Sequence, residues 1–308
     1  MPLMYKQPNM KNFLSRLFFV FSFSLILISC SSDNTSEDNE TIIIEPLTAE
    51  TILNVSYGDD PEQVYDIYLP AGRTSYKTKV IILVHGGGWT SGDKIDMENF
   101  IPSLQLLHPN HAIVNINYVL ASAVQPFKAA FPNQFLDLGL VIDQVTLEKE
   151  DLQILPEFGL IGTSAGAHIS LMYDSVYDTQ DVVKMVADIV GPTNFTDPFY
   201  ADDPLFNLAL TVLVDESAYP IGINLAEVTS PALQVTTSSS PTILFYGNQD
   251  PLVPLTNGEL LKTNLVNASV TNSFTVYDGG HGDWDEASLI DLQVQLSDFI
   301  ETYLAIEE

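Results

Sequence analysis

Short β-branched runs recur along residues 49–308. Between them lie stretches whose apolar positions repeat with a helical period. The runs predict strands at 51–57, 64–69, 79–84, 112–117, 159–162, 183–190, 242–246 and 273–277. The first two alternate apolar and polar residues, as half-exposed antiparallel strands do. Val80-Ile-Ile-Leu-Val84 and Ile243-Leu-Phe-Tyr246 are continuously apolar, the pattern of central parallel strands covered on both faces. Helices are expected at 135–145, 165–176, 257–265 and 286–304. In the last, Leu289, Ile290, Leu292, Val294, Leu296, Phe299 and Ile300 form an apolar stripe opposite acids. Strand alternating with helix predicts an α/β domain, a mostly parallel sheet of about eight strands with helices on both faces. No repeat or proline-rich break interrupts 49–308, so it reads as one domain. Residues 192–240 are less regular, and such excursions often cap an active site.

Composition narrows the classes. The chain has 308 residues, of which 46% are hydrophobic, enough for a large core. It carries 11 basic and 40 acidic residues. Residues 1–29 hold Lys6, Lys11 and Arg16 and no acid, so the rest is left with 8 basic against 40 acidic residues, or −32. A body of that sign repels phosphate backbones and argues against nucleic-acid partners. Charged residues are only 17% and aromatics reach 10%, which argues against disorder. With one cysteine, Cys30, no intrachain disulfide and no multi-cysteine metal site can form.

That cysteine ends an export-like segment. Three basic residues precede thirteen uncharged ones, Leu17 to Ser29, and then Cys30. Thirteen is short of the roughly 20 that span a bilayer and suits the h-region of a signal peptide. Leu27-Ile28-Ser29-Cys30 resembles a bacterial lipoprotein signal, which implies lipidation of Cys30 after removal of residues 1–29. Residues 30–48 are then an acidic tether. Its acidic start resembles surface-export signals, although a plain flexible leash fits equally. The expected location is the cell envelope, anchored in the outer membrane by lipid only.

The chemistry gathers where strands end. Gly162-Thr-Ser164-Ala-Gly166 has an apolar strand running into it and a helix leaving it. This is the setting of a nucleophile elbow, in which Ser164 is held exposed on a strained turn. His85-Gly-Gly-Gly-Trp89 follows the buried run 80–84. A glycine turn there can aim backbone N–H groups at an oxyanion. A phosphate loop is the competing reading, but no Lys-Ser/Thr follows the glycines. Asp250 stands just beyond the strand at 242–246, where it could serve as a triad acid or merely shape the turn before Pro251. His281, in Asp278-Gly-Gly-His-Gly-Asp283, is flanked by glycines that suit an exposed imidazole. Of the other histidines, His85 is expected to brace the glycine turn and His168 to pack on the helix. His108 and His111, around Pro109-Asn110, are expected at a surface turn.

The order Ser164, Asp250, His281 is the nucleophile–acid–histidine order of α/β-hydrolases. The chain resembles the esterase/lipase group related to hormone-sensitive lipase and bacterial carboxylesterases, near the feruloyl-esterase-like (BD-FAE) branch. The resemblance covers about residues 60–304. It rests on His85-Gly-Gly-Gly-Trp-Thr-Ser-Gly-Asp-Lys94, Asn117-Tyr118, Phe131-Pro132, residues 162–168, Gly191-Pro-Thr193, residues 241–254 and His281-Gly282. It implies the α/β-hydrolase fold, Ser164 as nucleophile, Asp250 as acid and His281 as base. It further implies an oxyanion hole of the Gly87, Gly88 and Ala165 amides. No metal or organic cofactor is implied. Two positions depart from the pattern. Val119 stands where relatives often carry arginine, and Ala167 where many have a second glycine.

The function this implies is a serine carboxylesterase acting on small-molecule or glycan esters, such as acetyl or feruloyl groups on plant polysaccharides. The alternatives are another acyl hydrolase on the same scaffold (peptidase, arylformamidase or lipase) or a non-catalytic binding lipoprotein.

Overall fold

The computed structural model describes residues 46–307. The signal segment, Cys30 and nearly all of the acidic tether lie outside the described residues. Among the described residues, eight strands form one sheet: β1 (Glu50–Ser56), β2 (Val64–Leu69), β3 (Val80–Val84), β4 (Ala112–Ile116), β5 (Phe158–Thr163), β6 (Val183–Ile189), β7 (Thr242–Gly247) and β8 (Asn272–Tyr277). Their order is β1-β2-β4-β3-β5-β6-β7-β8. β1 pairs β2, and β2 pairs β4, antiparallel; every other pair is parallel.

Nine helices are described: α1 (Phe100–Leu107), α2 (Asn133–Leu147), α3 (Lys149–Leu152), α4 (Ala165–Met172), α5 (Pro198–Ala201), α6 (Pro204–Leu213), α7 (Leu225–Val228), α8 (Thr256–Asn267) and α9 (Glu286–Tyr303). The sheet separates two apolar layers. Val80, Ile82 and Val84 face one layer with α2, α4 and α8. Ile81 and Leu83 face the other with α1 and α9. Strand side chains alternate between faces, so a continuously apolar β3 feeds both layers at once.

Several expectations change. Neither of the first two strands is half-exposed: β1 is exposed along almost its whole length, and β2 departs the other way. It is mostly buried, and even Asp66 is enclosed, its carboxylate paired with Lys94 at 2.7 Å. The α9 stripe narrows to Leu292, Leu296, Phe299 and Ile300, while Leu289, Ile290 and Val294 are exposed. The helix after Ser164 ends at Met172 and continues as a π-turn, Tyr173–Tyr177. His108 and His111 are buried. Ser297 on α9 reaches His108, 3.0 Å from Nε2, and His111 Nε2–H donates to Leu304 O just beyond the helix. The turn at Pro109-Asn110 is real, but the last turns of α9 cover its flanks. Residues 192–240 carry the short helices α5, α6 and α7.

The parallel strands all end on one edge of the sheet, and four of those ends build the site. β3 runs into the glycine turn, β5 into Ser164, β7 into the loop of Asp250 and β8 into the loop of His281.

Candidate active site

Ser164 sits between β5 and α4 with φ 51° and ψ −117°, a backbone conformation that L side chains rarely adopt. Holding it costs roughly 1–3 kcal/mol. Packing around the turn supplies the constraint. A Cβ on Gly162 would lie 2.4 Å from Ala167 N, and one on Gly166 would lie 2.1 Å from Val84 O. Only glycine lets strand, turn and helix approach this closely. The Ser164 N–H donates to Ile189 O at 2.8 Å, which ties the turn to the end of β6.

His281 Nε2 is 2.9 Å from Ser164 Oγ, and His281 Nδ1 is 2.6 Å from Asp250 Oδ2. The Asp250 side chain is fully covered. Its other oxygen, Oδ1, accepts the amides of Leu252 and Val253. Burial alone would raise the Asp250 pKa. The bonds from His281, Val253 and Leu252 outweigh it, so the carboxyl stays below its ordinary value. The loops carrying acid and histidine are laced together. Asn248 N–H donates to Tyr277 O, and Gln249 N–H to Gly279 O. The other two acids near His281 are engaged elsewhere. Asp278 accepts from Gln249 Nε2, and Asp283 accepts from the Gly280 amide.

The glycine turn faces Ser164. A Cβ on Gly86 would stand 3.2 Å from Ser164 Cβ. Gly87 and Gly88 adopt φ of 114° and 57°. Neither amide, nor that of Ala165, finds an acceptor among the described residues. The Gly87 carbonyl, by contrast, accepts from Thr90 N–H, Ser91 N–H and Ser91 Oγ. His85 braces the turn: its ring stacks on Tyr118 at 4.2 Å, and Nδ1–H donates to Gly86 O. Burial lowers its pKa and keeps it neutral. Tyr118 Oη reaches His85 O at 2.9 Å. Beyond the turn, Asn117 accepts from Lys94 N–H and donates to Asp93, so the far end of the motif is fastened to β4.

Trp89 continues the turn at φ 64°, and its carbonyl accepts from Gln134 Nε2 and Ala121 N–H. Its indole N–H donates to His168 Nδ1. His168 is wholly buried and donates through Nε2–H to Thr229 O. It packs as expected and does not meet Ser164's side chain.

A cavity of about 440 Å³ opens beside Ser164 and His281. Its walls include Phe100, Ile189, Val190, Trp284 and Leu292. A larger groove of about 800 Å³, bordered by Asp60, Gln63, Lys128 and Asp137, contains none of Ser164, Asp250 and His281. Chemistry, not size, therefore marks the smaller one as the candidate site.

Three contributors had no role assigned from the sequence. Tyr118 was legible only as part of a motif. Phe100 heads α1, a helix the apolar pattern did not reveal. Val190, with φ 52°, forms a wall in a conformation rare for a β-branched residue.

The model of the family described as BD-FAE matches residues 65–265. Kynurenine formamidase of Salmo salar is 28% identical over 130 residues, covering 40% of this chain and 38% of that protein. Esterase LipC of Mycobacterium tuberculosis is 22% identical over 242 residues, covering 74% of this chain and 59% of its own length. This chain therefore spans less than two thirds of either relative. A solved truncated form of a carbohydrate esterase from gut microbiota superposes with a TM-score of 0.65 at 20% identity, covering 82% of this chain and 97% of that one.

Proposed function

The chain belongs to the BD-FAE family and has the α/β-hydrolase fold, and from that premise we propose that it is a serine carboxylesterase. The observation that carries the proposal is the unbroken relay from Asp250 through His281 to Ser164, at 2.6 and 2.9 Å. His281 Nε2 accepts the Ser164 proton as Oγ attacks the ester carbonyl. Asp250 holds the tautomer with hydrogen on Nδ1 and stabilises the imidazolium; it keeps its own charge throughout. The free amides of Gly87, Gly88 and Ala165 receive the oxyanion, a contribution of about 3–4 kcal/mol per donor in comparable sites. His281 then protonates the departing alcohol, and water removes the acyl group by the reverse path.

Substrates are carboxylic esters of small molecules or glycans. The acetyl or feruloyl esters of plant polysaccharides are favoured by the likeness to a carbohydrate esterase. The acidic body disfavours strongly anionic esters. A second reading, hydrolysis of an aryl formamide, draws on the matching segment of kynurenine formamidase. It uses the same serine and the same oxyanion donors. The chain is also proposed to work at the cell envelope, tethered through acyl groups on Cys30.

The test is covalent. A fluorophosphonate reagent should add one group to the protein, on the peptide carrying Ser164. Ser164→Ala should take up none, and should lose about 10⁴-fold or more in p-nitrophenyl acetate turnover while keeping its circular dichroism. Equal turnover in the folded variant would remove the nucleophile assignment. Parallel assays on acetylated xylan, methyl ferulate and an aryl formamide separate the two substrate readings.

A further inference from the structure

We propose that Asp188 is a neutral carboxylic acid whose proton completes a hydrogen-bond chain through Tyr246 to Gly191, and that this chain positions the turn backing Ser164. The positioning half rests on Ser164 being the nucleophile; the protonation half does not.

Asp188 is an acid inside an otherwise apolar stretch of β6, Met185 to Ile189, and it is completely buried. Its Oδ1 accepts the Gly191 N–H at 2.8 Å. Its Oδ2 lies 2.6 Å from Tyr246 Oη, and Tyr246 Oη lies 2.7 Å from Gly191 O. Three oxygens thus stand in a row at hydrogen-bond spacing, and two protons are needed between them. The peptide carbonyl brings none, and a phenol brings one. The second must come from the carboxyl group. The arrangement that satisfies every atom runs from Asp188 Oδ2–H to Tyr246 Oη, and from Tyr246 Oη–H to Gly191 O. With an ionised Asp188, one of the two contacts would set lone pair against lone pair in a dry interior.

Among the described residues, no cationic side chain compensates a negative charge there. β5 and β7 flank Asp188, opposite Gly162 and Leu244, and α4 packs over the turn through Ala167. Tyr246 is the titratable group they bring to it; no lysine, arginine or histidine among the described residues bonds to Asp188. Thr193, from the following turn, gives its own proton to Asn257 O. Burial raises the Asp188 carboxyl to about 7 against the lowering effect of its two hydrogen bonds. A buried carboxylic acid kept neutral to donate a hydrogen bond has precedent in enzyme sites.

The chain acts where the site is assembled. Ile189 O receives the Ser164 N–H. Val190, held at φ 52°, is a wall of the catalytic cavity. Gly191 is gripped twice, by Asp188 Oδ1 at its N–H and by Tyr246 at its carbonyl. Tyr246 lies on β7, four residues before Asp250. The chain therefore joins the strand end behind the nucleophile to the strand that delivers the acid. Asp188 is a positioning residue and touches no reacting atom.

Asp188→Asn reproduces the protonated arrangement. Its amide N–H₂ faces Tyr246 and its amide oxygen faces the Gly191 N–H. Its kcat should stay within about threefold of wild type, with KM unchanged. Asp188→Ala should lower kcat about tenfold or more at similar KM. Infrared spectra of ¹³C-aspartate-labelled wild type minus Asp188→Asn should show a protonated carboxyl stretch at pH 5.5. The folded state holds a proton that the unfolded chain releases near the ordinary carboxylate value. Wild-type stability from this group therefore falls as pH rises from about 4 to about 7. The melting temperature of Asp188→Asn relative to wild type should rise across that window and level off above it. A carboxylate signature at pH 5.5, or a pH-independent gap between the melting curves, overturns the neutral acid. Full kcat in a folded Asp188→Ala, or equal damage in both variants, overturns the positioning role. If wild type proves inactive on every ester, the function reading fails, and the infrared and melting measurements still decide the protonation state.

Discussion

Asp250 divides its two oxygens between two tasks: Oδ2 lies 2.6 Å from His281 Nδ1, and Oδ1 takes the amides of its own turn. The side chain that shapes its own turn is thus also the one beside the imidazole, the placement that the proposed triad acid requires. The turn bonds constrain the carboxylate's direction independently of His281, which reduces the freedom lost in holding the contact to Nδ1.

Asp250→Asn should lower kcat by about three to four orders of magnitude, because an amide at this place favours the wrong imidazole tautomer. Asp278→Asn should cost less than about tenfold, since among the described residues the Asp278 carboxylate accepts from Gln249 and does not bond to His281. Asp283→Asn should also cost less than about tenfold, as its partner is the Gly280 amide in the histidine loop. The measurement is turnover of the three variants at matched circular dichroism. If either flanking variant is the most damaged, the relay has a different acid.

The strand ends were legible because each carries a local signature: apolar run, then glycine and one chemical residue. The two distances that join His281 to Asp250 and to Ser164 were not, since they link positions 31 and 117 residues apart. His108 and His111 show the limit from the other side. Pro109-Asn110 announces a turn, and nothing local announces that α9, nearly 190 residues later, closes over it. Asp188 did leave a trace, as the one acid in a buried parallel strand. Its role needed Tyr246 from the neighbouring strand.

Gly166→Ala should cripple folding. The new Cβ would stand 2.1 Å from Val84 O and 2.5 Å from His85 O, both backbone atoms that cannot swing away. A loss of about 4 kcal/mol or more is expected, or a melting temperature lower by about 10 °C. Gly72→Ala is the control. Its φ of 68° is strained for alanine, but nothing lies within 4 Å, so only about 1 kcal/mol should go. Equal melting temperatures for the two variants would contradict the close approach at the elbow.

Cys30→Ser should abolish lipidation, given the thirteen uncharged residues that end at this lone cysteine. Wild type should incorporate labelled palmitate and partition into detergent; the variant should do neither. Equal labelling of both would remove the anchor proposal and leave the catalytic one standing.

Acid should weaken the protein through His168. The ring is wholly buried against Phe131, Phe135 and Phe195, and burial lowers its pKa to about 3. The neutral tautomer uses both nitrogens: Nδ1 accepts the Trp89 indole N–H, and Nε2–H donates to Thr229 O. A second proton would set N–H against N–H. The unfolded chain takes up that proton near 6.5, so between about 6.5 and about 3 it binds more protons than the folded one. This contribution to stability is present above 6.5 and is lost as pH falls. His111, lowered to about 4 by burial, acts in the same direction. Asp188 and Asp174, raised by burial to about 7 and about 6, act oppositely over part of the window. The wild-type slope alone therefore does not isolate the histidine, and the difference between two melting curves does. His168→Phe should melt lower than wild type at pH 8, because Trp89 and Thr229 lose their partner. The gap should shrink as pH falls to 4.5, because the variant has no imidazole to protonate on unfolding. A gap that stays constant from pH 8 to 4.5 would mean that His168 does not couple folding to acid.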